Sequence, residues 1–352
     1  MVTAITWTNA ETPSIRVIDQ TLLPIEERYL ELQTVPELVD AIKRLVIRGA
    51  PALGVAGAYG VALAKAQSDR EGWDNQTFED AVSSIRDARP TAVNLAWGVD
   101  QVMDASALGV DAVVERAAII AREDEEANRQ LSRFGADWLL QTIGKDRLRI
   151  VTHCNTGALA TAGWGTAYGI IHELHQRGAV ELVYADETRP LLQGSRLTAF
   201  ELMKDGIPYV IEPDGAASST ILRGLADVAM IGADRIAANG DSANKIGSVA
   251  LALAAKRAKI PFLVAAPFST VDLETPHGQD IEIEERGDDE VLSFGACRAA
   301  PKDARAFNPA FDVTPHDLIA AIVTERGVTI PNSNPEDNSP IFFAANTREE
   351  SQ

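Results

Sequence analysis

Residues 148–190 read LRIVTHCNTGALATAGWGTAYGIIHELHQRGAVELVYADETRP, and this stretch decides the fold class. Two short apolar runs, Arg149–Thr152 and Glu181–Tyr184, are separated by a segment long enough for a helix. Runs of the same kind follow at Pro208–Ile211, Val228–Ile231 and Pro261–Ala265. Strands that alternate with helix-length segments predict parallel βαβ units with right-handed crossovers.

The residues before this stretch have a different pattern. Residues 36–47 and 110–142 carry apolar side chains at three- and four-residue spacing, which predicts helices. A short extended segment is expected around Ile15–Leu23. Near the other end of the chain, Thr314-Pro315 has the pattern of a helix start and predicts a helix that ends near Arg326.

We therefore predict an α/β protein in which a small, mainly helical N-terminal domain precedes a Rossmann-like domain with a parallel sheet. The domain that carries the helices is expected at 1–143, the Rossmann-like domain at 144–330 and a tail at 331–352.

Composition limits the classes of function. The chain has 352 residues and a formal net charge of −19, which argues against nonspecific binding of nucleic acid. An anionic small substrate is compatible with this charge, because local arginines and lysines can form a positive site on an acidic protein. The two cysteines, Cys154 and Cys297, are typical of a reduced cytoplasmic protein.

No membrane segment is expected. The longest uncharged stretch, Gly49–Ala64, is shorter than the ~20 apolar residues of a membrane span and predicts a buried helix. Glycines at 54, 57 and 60 recur along one face of that helix and predict close packing. The first residues lack the basic start and apolar core of a signal peptide.

The first segment with chemical potential is Arg48-Gly49-Ala50-Pro51. Pro51 suits the first turn of a helix, and Gly49 allows the backbone to approach a ligand closely. Free amides at a helix N-terminus bind phosphate, and Arg48 adds a charged fork. The segment is also compatible with an ordinary buried helix start. Arg89, which precedes a second helix start at Pro90-Thr91, could be a phosphate ligand or a solvated side chain.

Cys154 lies where the first predicted strand ends, and ligands of open parallel sheets bind beyond such ends. A helix is expected to begin just after it, and a thiol near a helix N-terminus has a lowered pKa and reacts readily. The alternative is a buried, small apolar residue, as expected for Cys297. Strand alternation directs His153 to the opposite side, which favours a structural role for it.

A dense polar cluster, Asp186-Glu187-Thr188-Arg189, follows the second predicted strand, with Gln193 close behind. Gln193 can both donate and accept hydrogen bonds, as recognition of sugar hydroxyls requires. The alternative is an internal network of ion pairs, which we expect for Glu187 and Arg189.

Asp234 follows the fourth predicted strand. A carboxyl in an apolar pocket has a raised pKa and can hold a proton near neutrality. Asp234 could instead form an ion pair with Arg235. Asn244 and Lys245 are expected to open the next helix, which is another anion-binding position. Asp241 fits a capping role.

Two strand ends with Cys154 and Asp234, together with helix starts marked by arginine or lysine, predict acid–base chemistry on a phosphorylated compound. These residues by themselves do not name the reaction. Zinc-finger pairs, a P-loop and a dinucleotide fingerprint are absent from the sequence, so we expect no metal and no cofactor.

Collinear stretches from about residue 47 to 272, with weaker ones to about 319, carry a resemblance to a known family. They are IRGAPALGVAGAYGVALA, RPTAVNLAWGVD, THCNTGALATAGWGTAYG, ADETRPLLQGSRLTAFEL, IGADRIAANGDSANKIGS and IPFLVAAPFSTVD, then IEIEER and FNPAFDVTPHDLI. The chain resembles the methylthioribose-1-phosphate isomerases of methionine salvage. That family is shared with ribose-1,5-bisphosphate isomerases and with regulatory subunits of the translation-initiation exchange factor.

The resemblance implies an aldose–ketose isomerase of 5-methylthioribose 1-phosphate that forms a two-fold homodimer. It implies that Cys154 and Asp234 are the catalytic pair. The substrate contacts that it implies are Arg48, Gly49, Ala50, Arg89, Gln193, Asn244 and Lys245.

Two alternatives remain open. One is an isomerase of ribose 1,5-bisphosphate or 5-deoxyribose 1-phosphate, and the other is a non-catalytic regulatory subunit. The chain departs from the family pattern at residues 214–217, Asp-Gly-Ala-Ala, and at Gly57. These changes could reshape an apolar part of the pocket and so bear on substrate selectivity.

Overall fold

The computed structural model describes residues 2–9, 11–89, 93–295 and 297–342, and begins with an antiparallel sheet. Its strands are β1 (Ile5–Thr8), β2 (Ser14–Ile18) and β3 (Tyr29–Leu32). Only the middle strand was predicted from the sequence. The outer strands have four residues each, which is too short for a clear alternating pattern.

Helices make up most of the rest of the N-terminal part. They are α1 (Val35–Lys43), α2 (Ala50–Glu71), α3 (Asn75–Arg86), α4 (Val93–Asp100) and α5 (Val110–Ile143). A capping box starts α1, where the Thr34 side chain accepts from the Glu37 amide and the Glu37 carboxylate accepts from the Thr34 amide. The helix start expected at Pro90-Thr91 lies outside the described residues.

Helix α2 confirms the predicted buried helix, and glycines let a neighbouring helix approach it. A Cβ on Gly57 would lie 2.5 Å from the carbonyl oxygen of Leu95 in α4. In return, a Cβ on Gly98 of α4 would lie 1.9 Å from the carbonyl oxygen of Gly54 in α2. The two backbones are therefore in direct contact.

The remaining elements alternate between strands and helices. In chain order the strands are β4 (Leu148–Thr152), β5 (Val180–Asp186), β6 (Tyr209–Glu212), β7 (Val228–Ile231), β8 (Arg235–Ala237), β9 (Ser242–Lys245), β10 (Phe262–Ala265), β11 (Val271–Asp272), β12 (Ser293–Phe294), β13 (Cys297–Arg298), β14 (Phe311–Thr314), β15 (Ala321–Thr324) and β16 (Gly327–Thr329). The helices are α6 (Ala167–Gln176), α7 (Ala199–Lys204), α8 (Asp214–Leu222), α9 (Ser248–Ala258) and α10 (Asp289–Leu292).

The largest sheet has the spatial order β6-β5-β4-β7-β10-β15-β16. Neighbouring strands from β6 to β15 are parallel, and β16 is antiparallel to β15. This is the order of a doubly wound sheet. The chain begins at β4 and adds β5 and β6 on one side, and then crosses back to add β7, β10 and β15 on the other side. The fold is thus mixed α/β with a parallel-containing sheet, as the sequence predicted.

The five strands predicted from the sequence are confirmed within two residues at each end, as β4, β5, β6, β7 and β10. The helix predicted from Thr314 to Arg326 is wrong. Residues 321–324 form β15, which pairs with β10 inside the sheet, and Gly327 begins β16. Ala321, Ile322 and Val323 are fully buried between neighbouring elements, an environment that favours β-branched residues in strands.

The two faces of the large sheet are covered by different helices. Alternating residues such as Ile150 and Met230 pack with α5 and α6 on one face, whereas Val151 and Ile231 pack with α8 and α9 on the other. The early part of α5 belongs to a third core around α2, while its later part belongs to the first face of the sheet. The domain division at residue 143 stays a prediction.

None of the helices that the structure describes is long and apolar enough to cross a membrane.

The contact between α2 and α4 gives a stability prediction. We expect Gly98→Ala to lower the free energy of unfolding by about 1–3 kcal/mol, because the added methyl group has no room beside Gly54. Gly215 of α8 has open space around it, so Gly215→Ala should leave stability unchanged or raise it by about 0.4–1 kcal/mol. Urea unfolding of both variants checks this pair, and equal effects would contradict the packing argument.

Candidate functional site

Cys154 follows β4 and Asp234 follows β7. These two strands are adjacent, and the strand order of the sheet reverses between them. Ligands of doubly wound sheets bind at this switch point. Cys154 has a positive φ of 63° and is held by two hydrogen bonds. Its amide donates to Thr188 Oγ1 (2.9 Å), and its carbonyl accepts from Thr198 Oγ1 (2.6 Å).

An open cleft lies above these strand ends, where small ligands of doubly wound sheets bind. Its wall includes every residue that was predicted as a catalytic or substrate-binding group. These are Arg48, Gly49, Ala50, Arg89, Cys154, Gln193, Asp234, Asn244 and Lys245. They come from six separate stretches of the chain, which the fold brings together.

Arg48 joins the N-terminal helices to the loop after β4. Its guanidinium donates to the carbonyl oxygen of Asn155 (3.0 and 3.2 Å), to the side-chain oxygen of Asn155, and to Gln20 Oε1 (3.2 Å). The Asn155 amide in turn donates to Glu201 Oε2 (2.6 Å). Burial raises the pKa of Glu201 to about 7. Arg48 is therefore held in place at the edge of the cleft by buried polar groups.

Gly49 has a packing reason as well as the predicted role near a ligand. It has a φ of 97° and precedes α2, and a Cβ there would lie 2.3 Å from the carbonyl oxygen of Ala160. Ala50 opens α2 at the cleft, where the first amides of a helix have no partners within the helix. This geometry suits an anion.

Asn244 and Lys245 do not open a helix, so that expectation is wrong. They end β9, and α9 begins at Ser248. The Asn244 amide donates to Ser248 Oγ (2.9 Å), and Lys245 Nζ donates to the carbonyl oxygen of Ala310 (2.8 Å). Strand pairing with β14 instead of a helix terminus positions both side chains.

Lys245 and Arg48 are positive charges that act on both Cys154 and Asp234. Burial lowers the pKa of Lys245, and the attraction of Cys154 and Asp234 opposes that shift. Burial raises the pKa of Asp234, although Lys245, Arg48 and Arg89 partly compensate. Asp234 is thus a carboxyl that can keep its proton, as expected from the sequence.

The lowered pKa expected for Cys154 is wrong. Burial raises the pKa of this thiol, and Arg48 and Lys245 offset only part of the effect. The helix that was expected directly after Cys154 starts later, at Ala167. Cys297 is exposed on the short hairpin of β12 and β13, not buried as expected.

Glu284 and Arg286 line the cleft but were not singled out as site residues from the sequence. Glu284 lies 3.3 Å from Arg89 and 2.9 Å from Arg286, so one carboxylate joins two guanidinium groups. Arg286 also bonds Glu290 through its Nε (2.9 Å). The only signal in the sequence was a single arginine after the acidic run Ile-Glu-Ile-Glu-Glu.

Gln193 is buried in the cleft wall, and its side-chain oxygen has no hydrogen-bond partner in the described part of the chain. A buried acceptor without a partner is costly, so this oxygen is suited to a donor from a ligand, such as a sugar hydroxyl.

Several alternatives from the sequence are now decided. Arg235 lies 3.7 Å from Asp272 instead of forming an ion pair with Asp234. The Arg189 guanidinium donates to backbone oxygens, including that of Val291 (3.0 Å), so the pair expected with Glu187 is not found in the described ranges. Asp241 accepts from the His316 amide and ring (both 2.8 Å), which confirms a structural role, although in a loop and not at a helix cap.

The departures from the family pattern lie away from this cleft. Asp214 accepts from the amides of Thr188 (2.7 Å) and Arg189 (2.6 Å) at the start of α8. Gly57 packs on α4. Neither lines the cleft, so the expectation that they reshape its apolar wall is not supported.

Fold and site together define an α/β protein with a small-molecule site at the switch point of its sheet. The model of the Initiation factor 2 subunit family matches residues 46–331, and the chain belongs to this family. Within it, the chain is 50% identical over 314 residues to a methylthioribose-1-phosphate isomerase of Anaeromyxobacter sp. (strain Fw109-5), covering 89% of this chain and 90% of the relative. It is 49% identical to a probable bifunctional methylthioribose-1-phosphate isomerase/methylthioribulose-1-phosphate dehydratase of Nocardia farcinica, of which it spans 58%.

Two solved structures also match this chain over most of its length. The crystal structure of 5-methylthioribose 1-phosphate isomerase from Pyrococcus horikoshii OT3 matches with a TM-score of 0.85 and 40% identity, over 94% of this chain and 93% of that one. A protein described as translation initiation factor eIF-2B, subunit delta, from A. fulgidus matches with a TM-score of 0.81 and 39% identity, over 94% and 96%.

Proposed function

We propose that this protein is an aldose–ketose isomerase that converts 5-methylthioribose 1-phosphate into 5-methylthioribulose 1-phosphate in methionine salvage. The observation that carries the proposal is the meeting of Cys154, Asp234 and Lys245 in one cleft at the switch point of the sheet. The names of the relatives, at about half identity over most of the chain, support the reaction and the substrate.

The cations of the cleft are the proposed anchors of the substrate phosphate. Arg48, Arg89 and Lys245 approach the cleft from three separate segments of the chain, and the amide of Ala50 opens α2 beside them. A phosphate dianion accepts several charge-assisted hydrogen bonds at once. Asn244 and the partnerless oxygen of Gln193 remain for the sugar hydroxyls.

Asp234 is the proposed acid that opens the ring. The phosphate on C1 prevents the spontaneous opening of a free hemiacetal, so the C1–O4 bond must break with help. Asp234 gives its proton to O4 as that bond breaks, and the phosphorylated C1 is left electron-poor. A carboxyl whose pKa is raised by burial is suited to this step.

Two routes complete the reaction. In the first, Cys154 reacts from its thiolate form, which Arg48 and Lys245 favour against the effect of burial. The thiolate takes the C2 proton, an enol forms between C1 and C2, the proton returns to C1, and the O2 proton passes to Asp234. In the second, hydride moves from C2 to C1 while Asp234 takes the O2 proton. Deuterium at C2 separates them, because the second route keeps the label at C1 and the first allows its exchange with solvent.

The proposed function is tested by direct turnover. Purified protein is given methylthioribose 1-phosphate, ribose 1,5-bisphosphate and 5-deoxyribose 1-phosphate in parallel, and ketose formation is followed by carbon NMR. We expect a clear preference for the methylthio compound. A preference for another of these sugars would keep the reaction and replace the substrate.

Arg286 is a further cation of the cleft wall, and we propose that it also contacts the substrate phosphate. We expect Arg286→Gln to raise KM about 10- to 100-fold, because a charge-assisted hydrogen bond contributes about 1.5–3 kcal/mol. The matched control is Arg298→Gln on the exposed β13 hairpin, which should leave KM unchanged. If Arg286→Gln and Arg298→Gln have the same KM as the wild type, Arg286 has no part in binding the substrate.

A second candidate function is a non-catalytic regulatory subunit, which the likeness to the A. fulgidus protein favours. The presence of a thiol, a proton-holding carboxyl and a shared cation in one cleft favours the enzyme instead. Folded protein that turns over none of the three sugars would favour the regulatory role over the enzyme.

We also propose that the enzyme is cytoplasmic and has the two-domain organisation predicted from the sequence. We further propose that it forms a homodimer. Val210 and Ile211 are exposed on β6, and Leu222 and Leu253 are exposed on α8 and α9, which pack on one another. Exposed apolar side chains on neighbouring elements are typical of a protein interface. Light scattering should give twice the chain mass of 37.8 kDa.

A further inference from the structure

His153 is a buried histidine that the proposed mechanism does not use. Its side chain is 1% exposed, as is that of Asp186. Its Nδ1 lies 2.8 Å from Asp186 Oδ2, and its Nε2 lies 2.8 Å from the carbonyl oxygen of Ile246. Both ring nitrogens therefore face oxygen atoms, one of which can only accept a hydrogen bond.

This geometry fixes the number of protons. Nε2 must carry a hydrogen, because the Ile246 carbonyl has none to give. A second proton must lie between Nδ1 and Asp186, on either atom. The imidazole and the carboxyl together hold two protons and carry no net charge.

The pair connects three segments that carry the proposed reaction centre. His153 precedes Cys154 after β4, Asp186 ends β5, and Ile246 follows Lys245 after β9. Gly247 brings this last segment close, since a Cβ on it would lie 2.9 Å from the His153 ring. Movement of the ring would thus displace the thiol and the ammonium group together.

The surroundings of the pair are acidic. Asp186, Asp214 and Asp312 face His153 from β5, α8 and β14. Hydrogen bonding to Asp186 and the nearby acids raise the pKa of His153 against the effect of burial, and burial raises the pKa of Asp186 to about 6. His153, Asp186 and Asp214 could also offer three metal ligands, but the 2.8 Å between Nδ1 and Oδ2 is the distance of a direct hydrogen bond.

We propose that His153 and Asp186 are positioning residues of the isomerase centre, which hold two protons between them and so tie the Cys154 strand end to the Lys245 strand end. The inference rests on the proposed function for its main readout. The proposed role differs from simple packing. It requires a hydrogen atom between His153 Nδ1 and the side chain of residue 186, so a side chain of the right volume without such a hydrogen should not hold the ring in place.

The test compares two substitutions of Asp186 that have similar size. In Asp186→Asn, the side-chain amide can donate to Nδ1 while Nε2 still donates to Ile246, so the ring keeps both bonds. We expect kcat/KM within about threefold of the wild type. In Asp186→Leu, Nδ1 has no partner, and we expect kcat/KM to fall about 10- to 100-fold, as for a small misplacement of reacting groups.

The same pair of substitutions at Asp241 is the matched control. His316 Nδ1 lies 2.8 Å from Asp241 Oδ1, also in a buried setting, but neither residue lines the cleft. Asp241→Leu and Asp241→Asn should change thermal stability without changing kcat/KM per folded molecule. The proposal is wrong if Asp186→Asn loses as much activity as Asp186→Leu, or if Asp186→Leu retains full activity while folded.

A second readout does not depend on turnover. With Cys297 replaced by serine, the rate of alkylation by iodoacetamide reports the position of the Cys154 thiol alone. We expect the rate to change at least threefold in Asp186→Leu and to be unchanged in Asp186→Asn. If no variant and no wild type turns over sugar but this contrast holds, the proposed function fails and the positioning role stands; equal rates in the two variants would overturn it.

A third measurement needs no substitution in the pair, in case Asp186→Leu does not fold. In wild-type protein labelled with ¹⁵N-histidine, Nε2 of His153 should carry a proton and Nδ1 should share one at pH 7. A bare, non-hydrogen-bonded Nδ1 would contradict the proton count.

Discussion

Asp234→Asn is expected to fold normally and to lose about 10²- to 10⁴-fold in kcat, the usual contribution of a positioned acid. Asparagine has nearly the same shape, and its amide cannot give a proton to the ring oxygen. The cleft around it would keep Arg48, Arg89 and Lys245. KM should therefore change much less than kcat, which steady-state kinetics on methylthioribose 1-phosphate measures directly.

The wild-type pH profile provides an independent check. Asp234 must be protonated to act, and burial raises its pKa above the ordinary value for aspartate. The fraction of Asp234 that can act as an acid is then full below that raised pKa, and the basic limb of the turnover profile falls as the pH rises through it. The residual activity of Asp234→Asn should lack this limb. Asp272→Asn, outside the cleft beside Arg235, is the control and should behave like the wild type.

Near-normal turnover by Asp234→Asn would remove the acid role from this residue. A loss of activity accompanied by loss of the circular dichroism signal would be uninformative on its own, which is why Asp272→Asn is measured under the same conditions. Both variants should unfold at similar urea concentrations, since neither substitution changes the side-chain volume appreciably.

Cys154→Ser is expected to lower kcat about 10²-fold or more. A hydroxyl keeps its proton far more strongly than a thiol, so serine can neither take the C2 proton nor carry developing negative charge as sulfur does. The substitution preserves the side-chain shape at a position with φ of 63°, where Thr188 and Thr198 hold the backbone. The same NMR assay measures the loss.

The two cysteines provide their own control. Cys297 is exposed on the β12–β13 hairpin and makes no part of the cleft wall. Cys297→Ser should therefore retain wild-type kcat and KM. An equal loss in the two cysteine variants would mean that their effect comes from folding or handling of the protein, and the chemical role of Cys154 would have to be withdrawn.

The sequence was most informative where local pattern and burial agree. β7, Val228–Ile231, was predicted to the residue, since a four-residue apolar run between polar segments is too short for a helix and suits a buried strand. The sequence was least informative where a short apolar run is equally compatible with a helix and with a strand. Residues 321–324 form β15 because they pair with β10 in the sheet. A pairing of this kind cannot be read from the local sequence pattern.

The candidate site shows the same limit. Cys154, Asp234 and Lys245 could be named from strand ends and from family resemblance. Arg286 could not, because its place in the cleft depends on a long segment between β11 and β14 that crosses above the sheet. The direction of the pKa shift of Cys154 also depended on burial, which only the folded chain sets.

By itself, the sequence determined the α/β class, the predicted strands and the types of residue available for chemistry, since these follow from apolar periodicity and side-chain structure. Only the tertiary structure decided which of those residues share one cleft and how their protons are held. The strand order places β4 beside β7 although many residues separate them, and burial then raises the pKa of Asp234 and of Cys154 and encloses the His153–Asp186 pair. Proximity and dielectric environment are properties of the folded chain, because both depend on contacts between residues that are distant in sequence.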